Sequence, residues 1–230
     1  MSRGTVAIDY TPCAVPFAGG QEQFAQDWSN RFVALEGGWG SGKTWIGARK
    51  LVTLHIHNAL RWDPTRKRTV LSYCKSAVVA PTYRNAMDYD IPALEEAFEE
   101  AGIEAILNTG SMAYTLPQFG TRRHPSLIII RTAEAAERIT GWEVGAAWGD
   151  EPTRWPENRE NPKRDPLIQL LGRLRSPVAR FRQLLFTYTN ECDTTRVYEM
   201  FHPLKANHAL YRARTRDNPR VAEFYRSEER

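Results

Sequence analysis

Hydrophobic residues in this chain gather into short runs of strand type, separated by segments of helical spacing. Phe32-Val33-Ala34-Leu35 is the first such run, and the pattern behind it predicts a helix over 43 to about 58. Residues 1–30, rich in Pro, Gly and Gln, read as a lead-in with a short helix over 21–28. A charged break over 61–68, containing Pro64, precedes a second strand at Ala77-Val78-Val79-Ala80, which Pro81-Thr82-Tyr83 ends. Apolar spacing at Ile91, Leu94, Ala97 and Phe98 predicts a helix over 91–101, capped by Gly102.

Residues 103–121 read as a small strand pair, and Leu127-Ile128-Ile129-Ile130 as the strongest strand. A helical turn or loop over 134–138 follows, then a small apolar run into Asp150-Glu151 and Pro-rich loop material through Pro166. A helix over 167 to about 174, a strand over 183–188 and a last alternation at Ala209-Leu210-Tyr211 lead to a polar tail from Arg214. Strands that alternate with helices predict an α/β fold, with a mostly parallel sheet flanked by helices on both faces.

Composition bounds this picture without redirecting it. The 230 residues, 42% hydrophobic and 25% charged, suit one large α/β domain, or one domain plus a short appendage, of ordinary soluble composition. No apolar stretch approaches the ~20 residues a membrane span needs, and Met1-Ser2-Arg3-Gly4 lacks the apolar core of a secretion signal. Cys13, Cys74 and Cys192 are odd in number, with no C-x-x-C pair, which predicts reduced thiols rather than a disulfide frame or zinc site. The net charge of +4 is a mild hint of a polyanionic partner. It concentrates over 154–182, where eight Lys/Arg face three Asp/Glu; a solvated face is the plain reading of such a stretch.

Chemistry enters with Gly37-Gly38-Trp39-Gly40-Ser41-Gly42-Lys43-Thr44, which fits G-x-x-x-x-G-K-[ST]. Glycines let the backbone turn tightly with positive φ, so that several N–H groups face one concavity at the positive end of a helix. Such a loop suits a polyphosphate. Lys43 would reach the β and γ phosphates, and the Thr44 hydroxyl would hold Mg²⁺. The run Glu143–Glu151 then ends in two adjacent carboxylates. At a strand's end Asp150 would face the metal shell, while Glu151 could sit beside an attacking water as general base. The strand Leu184-Leu185-Phe186-Thr187-Tyr188-Thr189-Asn190 carries hydroxyls and an amide to the sheet edge where open α/β folds bind ligands. Thr187 and Asn190 could sense the γ phosphate there; equally, Thr and Asn can cap the next turn.

In this order the motifs resemble the ATPase domain of the large terminase subunit, the DNA-packaging motor of tailed bacteriophages. The resemblance covers most of 17–225: Gln21 or Gln23, the Gly37–Thr44 loop (Walker A), Ala80-Pro81-Thr82-Tyr83, Thr132-Ala133-Glu134 to Thr140-Gly141, Asp150-Glu151 (Walker B), Thr187–Asn190, and Arg214 through Pro219. It implies a RecA-like, ASCE-type P-loop ATPase core over 1–190 that binds ATP and Mg²⁺, with Gln21, or else Gln23, on adenine. It further implies Mg²⁺ on Thr44 and Asp150, water activation by Glu151, and coupling through Thr187–Asn190. Partners follow from it too: double-stranded DNA held non-specifically by its backbone, a ring of copies, generally five, on the portal, and a small terminase subunit. The place of work would be the host cytoplasm, docked on the procapsid. An arginine from a neighbouring subunit would complete each site. The family often has it just before the glycine at 141, where this chain has Thr140, so Arg138 is the candidate, with Arg131, Arg173 and Arg175 as rivals. Residues 191–230 read as an extension toward an absent nuclease domain, since the acids after Thr189 are scattered. A helicase-like ATPase, and a nucleotide-controlled binding module with negligible turnover, are the alternatives.

Overall fold

In the computed structural model, residues 19–218 are described, apart from 66, 122, 123 and 204, together with residue 221. Cys13, Glu223 and the first part of the lead-in lie outside the described residues. Helix α1 (Gly20–Gln26) precedes strand β1 (Phe32–Gly37), and α2 (Lys43–Ala59) follows it. Strands β2 (Leu60–Asp63) and β3 (Arg68–Leu71) form a hairpin before β4 (Lys75–Ala80). Next come a short α3 (Tyr83–Asn85), a π-helical turn over Ala86–Asp90, and α4 (Ile91–Glu100). Strands β5 (Ile106–Asn108), β6 (Ala113–Gly120) and β7 (Pro125–Thr132) are followed by a 3₁₀ segment and β8 (Ala146–Asp150). Helix α5 (Pro166–Leu171), β9 (Gln183–Tyr188), α6 (Arg196–Phe201) and β10 (His208–Ala213) complete the order.

Eight strands form one sheet in the order β10-β1-β9-β8-β4-β7-β6-β5. Pairing is parallel from β10 through β7, and β6 and β5 are antiparallel at the far edge. Because β9 lies between β1 and β8, the carboxyl ends of three strands distant in sequence meet, at the edge where such sheets place ligands. Both faces are covered. Val33, Leu35, Val78 and Trp148 point into a core shared with α2 and α4, whereas Ala34, Ala77, Val79 and Phe186 point into a second core with Leu170, Val197 and Phe201. That burial on two sides explains why these strands read as continuous apolar runs rather than alternating ones.

Several local features follow from single residues. The α4 helix ends as predicted: Gly102 takes φ +64, while the Gly102 and Ile103 N–H groups donate to the Glu99 and Phe98 carbonyls at 3.0 and 2.8 Å. The charged break over 61–68 is instead the β2–β3 hairpin. The Ser72 N–H and hydroxyl donate to the Ala59 carbonyl at 2.8 and 3.0 Å, tying the far end of the hairpin to the end of α2. Helix α6 is absent from the sequence reading; it is six residues long, with the Thr195 hydroxyl accepting from the Tyr198 N–H. The sheet also runs past residue 190, because β10 pairs along β1 from Phe32↔His208 to Gly37↔Ala213. Cys74 is buried and Cys192 exposed, both free thiols. No described helix is long and apolar enough to cross a membrane.

Candidate functional site

The loop after β1 is built from glycine geometry and long-range straps. Gly40 and Gly42 take φ +71 and +80, and Gly42 hands the chain into α2. Ser41 folds back on the Gly38 carbonyl through its N–H at 3.3 Å and its hydroxyl at 2.7 Å. From the far end of the chain, Asn218 Nδ2 donates to the Gly40 carbonyl and Thr215 Oγ1 to the Trp39 carbonyl, each at 2.7 Å. Gln21, fully buried on α1, donates through Nε2 to the Ser41 carbonyl, and its Oε1 has no partner among the described residues. Gln23 is exposed on the other side of α1, so of the two glutamines Gln21 is the one beside the loop.

Lys43 is almost entirely buried. Its ammonium donates to the Gly38 carbonyl at 2.9 Å and stands 3.6 Å from Glu151 Oε1. Burial pulls the Lys43 ammonium below its usual range, opposed by the charges of Glu151 and Asp150. Thr44 is half-buried at the first turn of α2.

Asp150 closes β8 beside Thr187 of β9. Asp150 Oδ1 accepts from Thr187 Oγ1 at 2.7 Å, and that oxygen accepts from Trp148 Nε1 at 2.7 Å. The Asp150 carbonyl accepts from Trp155 Nε1 at 2.9 Å. The small residues that weaken this strand on paper are needed in place. A Cβ on Gly149 would lie 2.8 Å from Trp155 and 2.9 Å from Phe186. Burial pushes the Asp150 carboxyl up to about 7; the Thr187 hydroxyl opposes this and the Glu151 charge adds to it.

Glu151 turns the chain with φ +42, a strained conformation for a side chain of its size. Its N–H donates to the Thr187 carbonyl at 2.7 Å, while Oε2 accepts from the Thr189 N–H at 2.9 Å and Oε1 from the Thr189 hydroxyl at 3.3 Å. The paired acids therefore face the phosphate-loop lysine.

Two residues at this site escape a sequence reading. Asp90, at the end of the π-helical turn, is fully buried, with its carboxyl against that of Asp150. Burial first, then the neighbouring Asp150 charge, pushes its carboxyl well above the ordinary range. Its signal in sequence, one acid before a helix, is no different from a solvent-facing one. Arg154 ends the 3₁₀ turn Pro152–Arg154 directly after Glu151; its guanidinium lies 5.9 Å from the Trp39 ring centre and pairs with Glu191.

The remaining candidates stand apart. Asn190 is exposed and donates to Asp193 Oδ1 at 3.2 Å, in a turn-capping arrangement. Arg138 is exposed on the 3₁₀ segment Ala133–Ile139. Arg131 donates to the carbonyls of Ser111, Met112 and Ile130, and Arg175 pairs with Glu143 at 3.2 Å. Arg173 Nε is buried without a partner among the described residues. In the basic stretch, Arg154, Arg159 and Arg175 all pair with acids. Trp155 and Tyr188 are core residues.

As to a metal, no three His, Cys, Asp or Glu side chains among the described residues are grouped to hold one unaided. The hard oxygens of Thr44 and Asp150 are of the chemical kind that fits Mg²⁺ shared with a phosphate.

The sequence matches no protein-family model and no curated protein. Solved structures do match in fold. The large terminase of a thermophilic bacteriophage, solved also with ATP-gamma-S, superposes with TM-score 0.70 at 13% identity, over 93% of this chain and 50% of that one. The ATPase domain of the Thermus phage P74-26 large terminase gives TM-score 0.62 at 13% identity, over 92% and 87%. The bacteriophage HK97 large terminase gives 0.58 at 14%, over 92% and 44%. The chain thus spans about half the length of the first of these proteins. What these likenesses establish is the fold: an α/β phosphate-loop domain of the kind found in large-terminase ATPase domains.

Proposed function

We propose that this chain is an ATP-hydrolysing motor domain that drives double-stranded DNA into a viral procapsid. One observation carries the reading: the buried Lys43 ammonium lies 3.6 Å from Glu151, with Asp150 beside it, on a fold shared with large-terminase ATPase domains. The backbone N–H groups over 38–43 would hold the phosphates, and Lys43 would leave the Gly38 carbonyl for the terminal phosphate. Thr44 and Asp150 would hold Mg²⁺, which when bound neutralises charge developing between the β and γ phosphates. Glu151, oriented by Thr189, would take the proton from the attacking water. Thr187 touches Asp150 and Thr189 touches Glu151, so the β9 strand end would register the state of both acids. Gln21 would reach the nucleotide through its unpartnered Oε1, and Asn190 would act in the turn that β9 feeds.

By the same reading the chain works as a portal-docked ring, generally a pentamer, in the host cytoplasm, with a small terminase subunit as partner. It would hold DNA by its backbone without sequence preference. Exposed Arg138 is the candidate to complete a neighbour's site.

Glu151→Gln is the decisive variant, because it keeps shape and hydrogen-bonding capacity while removing the base. Steady-state hydrolysis is expected to fall at least about 100-fold, while affinity for the slowly hydrolysed analogue ATP-gamma-S with Mg²⁺ changes by less than about threefold. Equal turnover in wild type and variant would remove Glu151 from the chemistry and favour the nucleotide-controlled binding module.

A further inference from the structure

We propose that Arg154 is a phosphate-binding residue of its own subunit's site, discriminating a nucleoside triphosphate from a diphosphate, with Glu191 as its resting partner. This rests on the nucleotide reading above and goes beyond it. Four observations place the side chain. Its backbone is fixed next to Glu151: the Arg154 N–H donates to the Glu151 carbonyl at 2.9 Å, and the flanking Thr153 and Trp155 side chains are hydrogen-bonded to the Thr189 and Asp150 carbonyls. Its guanidinium leans over Trp39 of the phosphate loop, 5.9 Å from the ring centre. Its charge is close enough to weigh on the Lys43 ammonium and to feel Glu151 and Asp150. The head is still half-exposed, so it is free to turn.

The ion pair with Glu191 is the bond that has to be exchanged. Both side chains are more than 40% exposed, and a pair of that kind contributes little in water. A terminal phosphate held by the loop offers the same guanidinium two parallel charge-assisted bonds in a less hydrated site. The exchange therefore favours phosphate whenever a γ phosphate is present, and Glu191 when it is not. Glu191 follows Asn190 in the turn leaving β9. Taking Arg154 away removes a tie on that turn, so triphosphate occupancy is transmitted to the segment that also touches both acids.

The test is equilibrium binding of Mg²⁺–ATP-gamma-S and Mg²⁺–ADP to the full chain, comparing wild type with Arg154→Ala, Arg154→Lys, Glu191→Gln and the Arg154→Ala/Glu191→Gln pair. Arg154→Ala should weaken ATP-gamma-S about tenfold or more and leave ADP within about twofold. Arg154→Lys should recover part of the loss. Glu191→Gln should tighten ATP-gamma-S, and in the double variant that gain should vanish. Unchanged ATP-gamma-S affinity in Arg154→Ala, an equal loss for both nucleotides, or a weaker Glu191→Gln would overturn the proposal while leaving nucleotide binding intact. Wild-type protein that binds neither nucleotide would overturn the nucleotide reading and this proposal together. Unfolding curves on the same samples separate these results from misfolding.

Discussion

Thr187→Val tests the site through its least visible support. Valine fills the volume of threonine, so packing in the β9 strand is kept and only the hydroxyl goes. That hydroxyl is fully buried and serves two neighbours at once, accepting from Trp148 Nε1 and donating to Asp150 Oδ1, each at 2.7 Å. Trp148 is itself fully buried, so its indole N–H would be left without an acceptor, at a cost of roughly 1–3 kcal/mol. Asp150 would lose a donor that holds its carboxyl down, adding a comparable penalty and moving that carboxyl further up. Relief from burying the threonine hydroxyl offsets part of this, leaving a net loss of roughly 2–4 kcal/mol. For a chain of this size that lowers the melting temperature by roughly 4–16 °C. Urea unfolding at neutral pH measures it as a shifted midpoint with an unchanged slope. Thr187→Ser, which keeps the hydroxyl, should recover most of the loss. A Thr187→Val variant within about 0.5 kcal/mol of wild type would show that the Trp148–Thr187–Asp150 chain does not hold the acid.

Two further outcomes are expected. Gly47→Ala would place a methyl 2.7 Å from the Trp148 ring, whose indole N–H is held by Thr187. The overpacking penalty of about 1–3 kcal/mol should outweigh the alanine helix gain of about 1 kcal/mol, so calorimetry should show a lower melting temperature; a rise would mean the indole yields. His55, fully buried against Ser76 and Cys74, has its imidazole pushed down to about 3 by burial. Unfolding exposes a group that protonates near 6.5, so the unfolded chain binds the extra proton and stability is lost as pH falls below that value. From pH 6.5 to 4 the loss is roughly 3 kcal/mol. Denaturation of His55→Gln should therefore show a flatter acid limb than wild type, and parallel curves would contradict the assignment.

How much of this is legible in sequence depends on whether a feature is local. The Gly37–Thr44 loop, the α2 helix behind it and the β9 strand follow from spacing within a dozen residues, and their observed limits lie close to those the pattern predicts. Helix α6 escapes because six residues carry too little periodicity; burial of Val197 and Phe201 against Phe186 and its neighbours selects the helix instead. The β2–β3 hairpin is hidden because its strands are four residues each and rich in charge. Strand β10 shows as an alternation, but its place beside β1 is a pairing across some 176 residues, from Phe32 to His208, that no local pattern encodes. Asp90 and Arg154 are invisible for the same reason. An acid is made unusual by the burial around it, and an arginine by the distant Trp39 beneath it.

Electrostatic imbalance is what makes this arrangement a site rather than a well-packed sheet edge. Asp150 and Glu151 face one buried ammonium, Lys43, with Asp90 crowded against Asp150, and the folded chain lifts the Asp90 and Asp150 carboxyls while lowering the ammonium. Such a cluster is costly: burial and crowding penalise the ionised acids, and the lifted carboxyls answer this by holding protons. A sequence shaped only for stability would have replaced Asp90 with an apolar residue, since it is fully buried against a second acid, Asp150. The strained φ of Glu151 runs the same way, storing backbone energy where an ordinary turn would have none. Fold stability thus comes from the two apolar cores, while the carboxyl edge of the sheet gathers acids that are costly to ionise together. On the nucleotide reading proposed above, a divalent cation carried in by a triphosphate would favour the ionised form of these acids. On the same reading, Lys43 and Arg154 would meet the phosphate oxygens that accompany it.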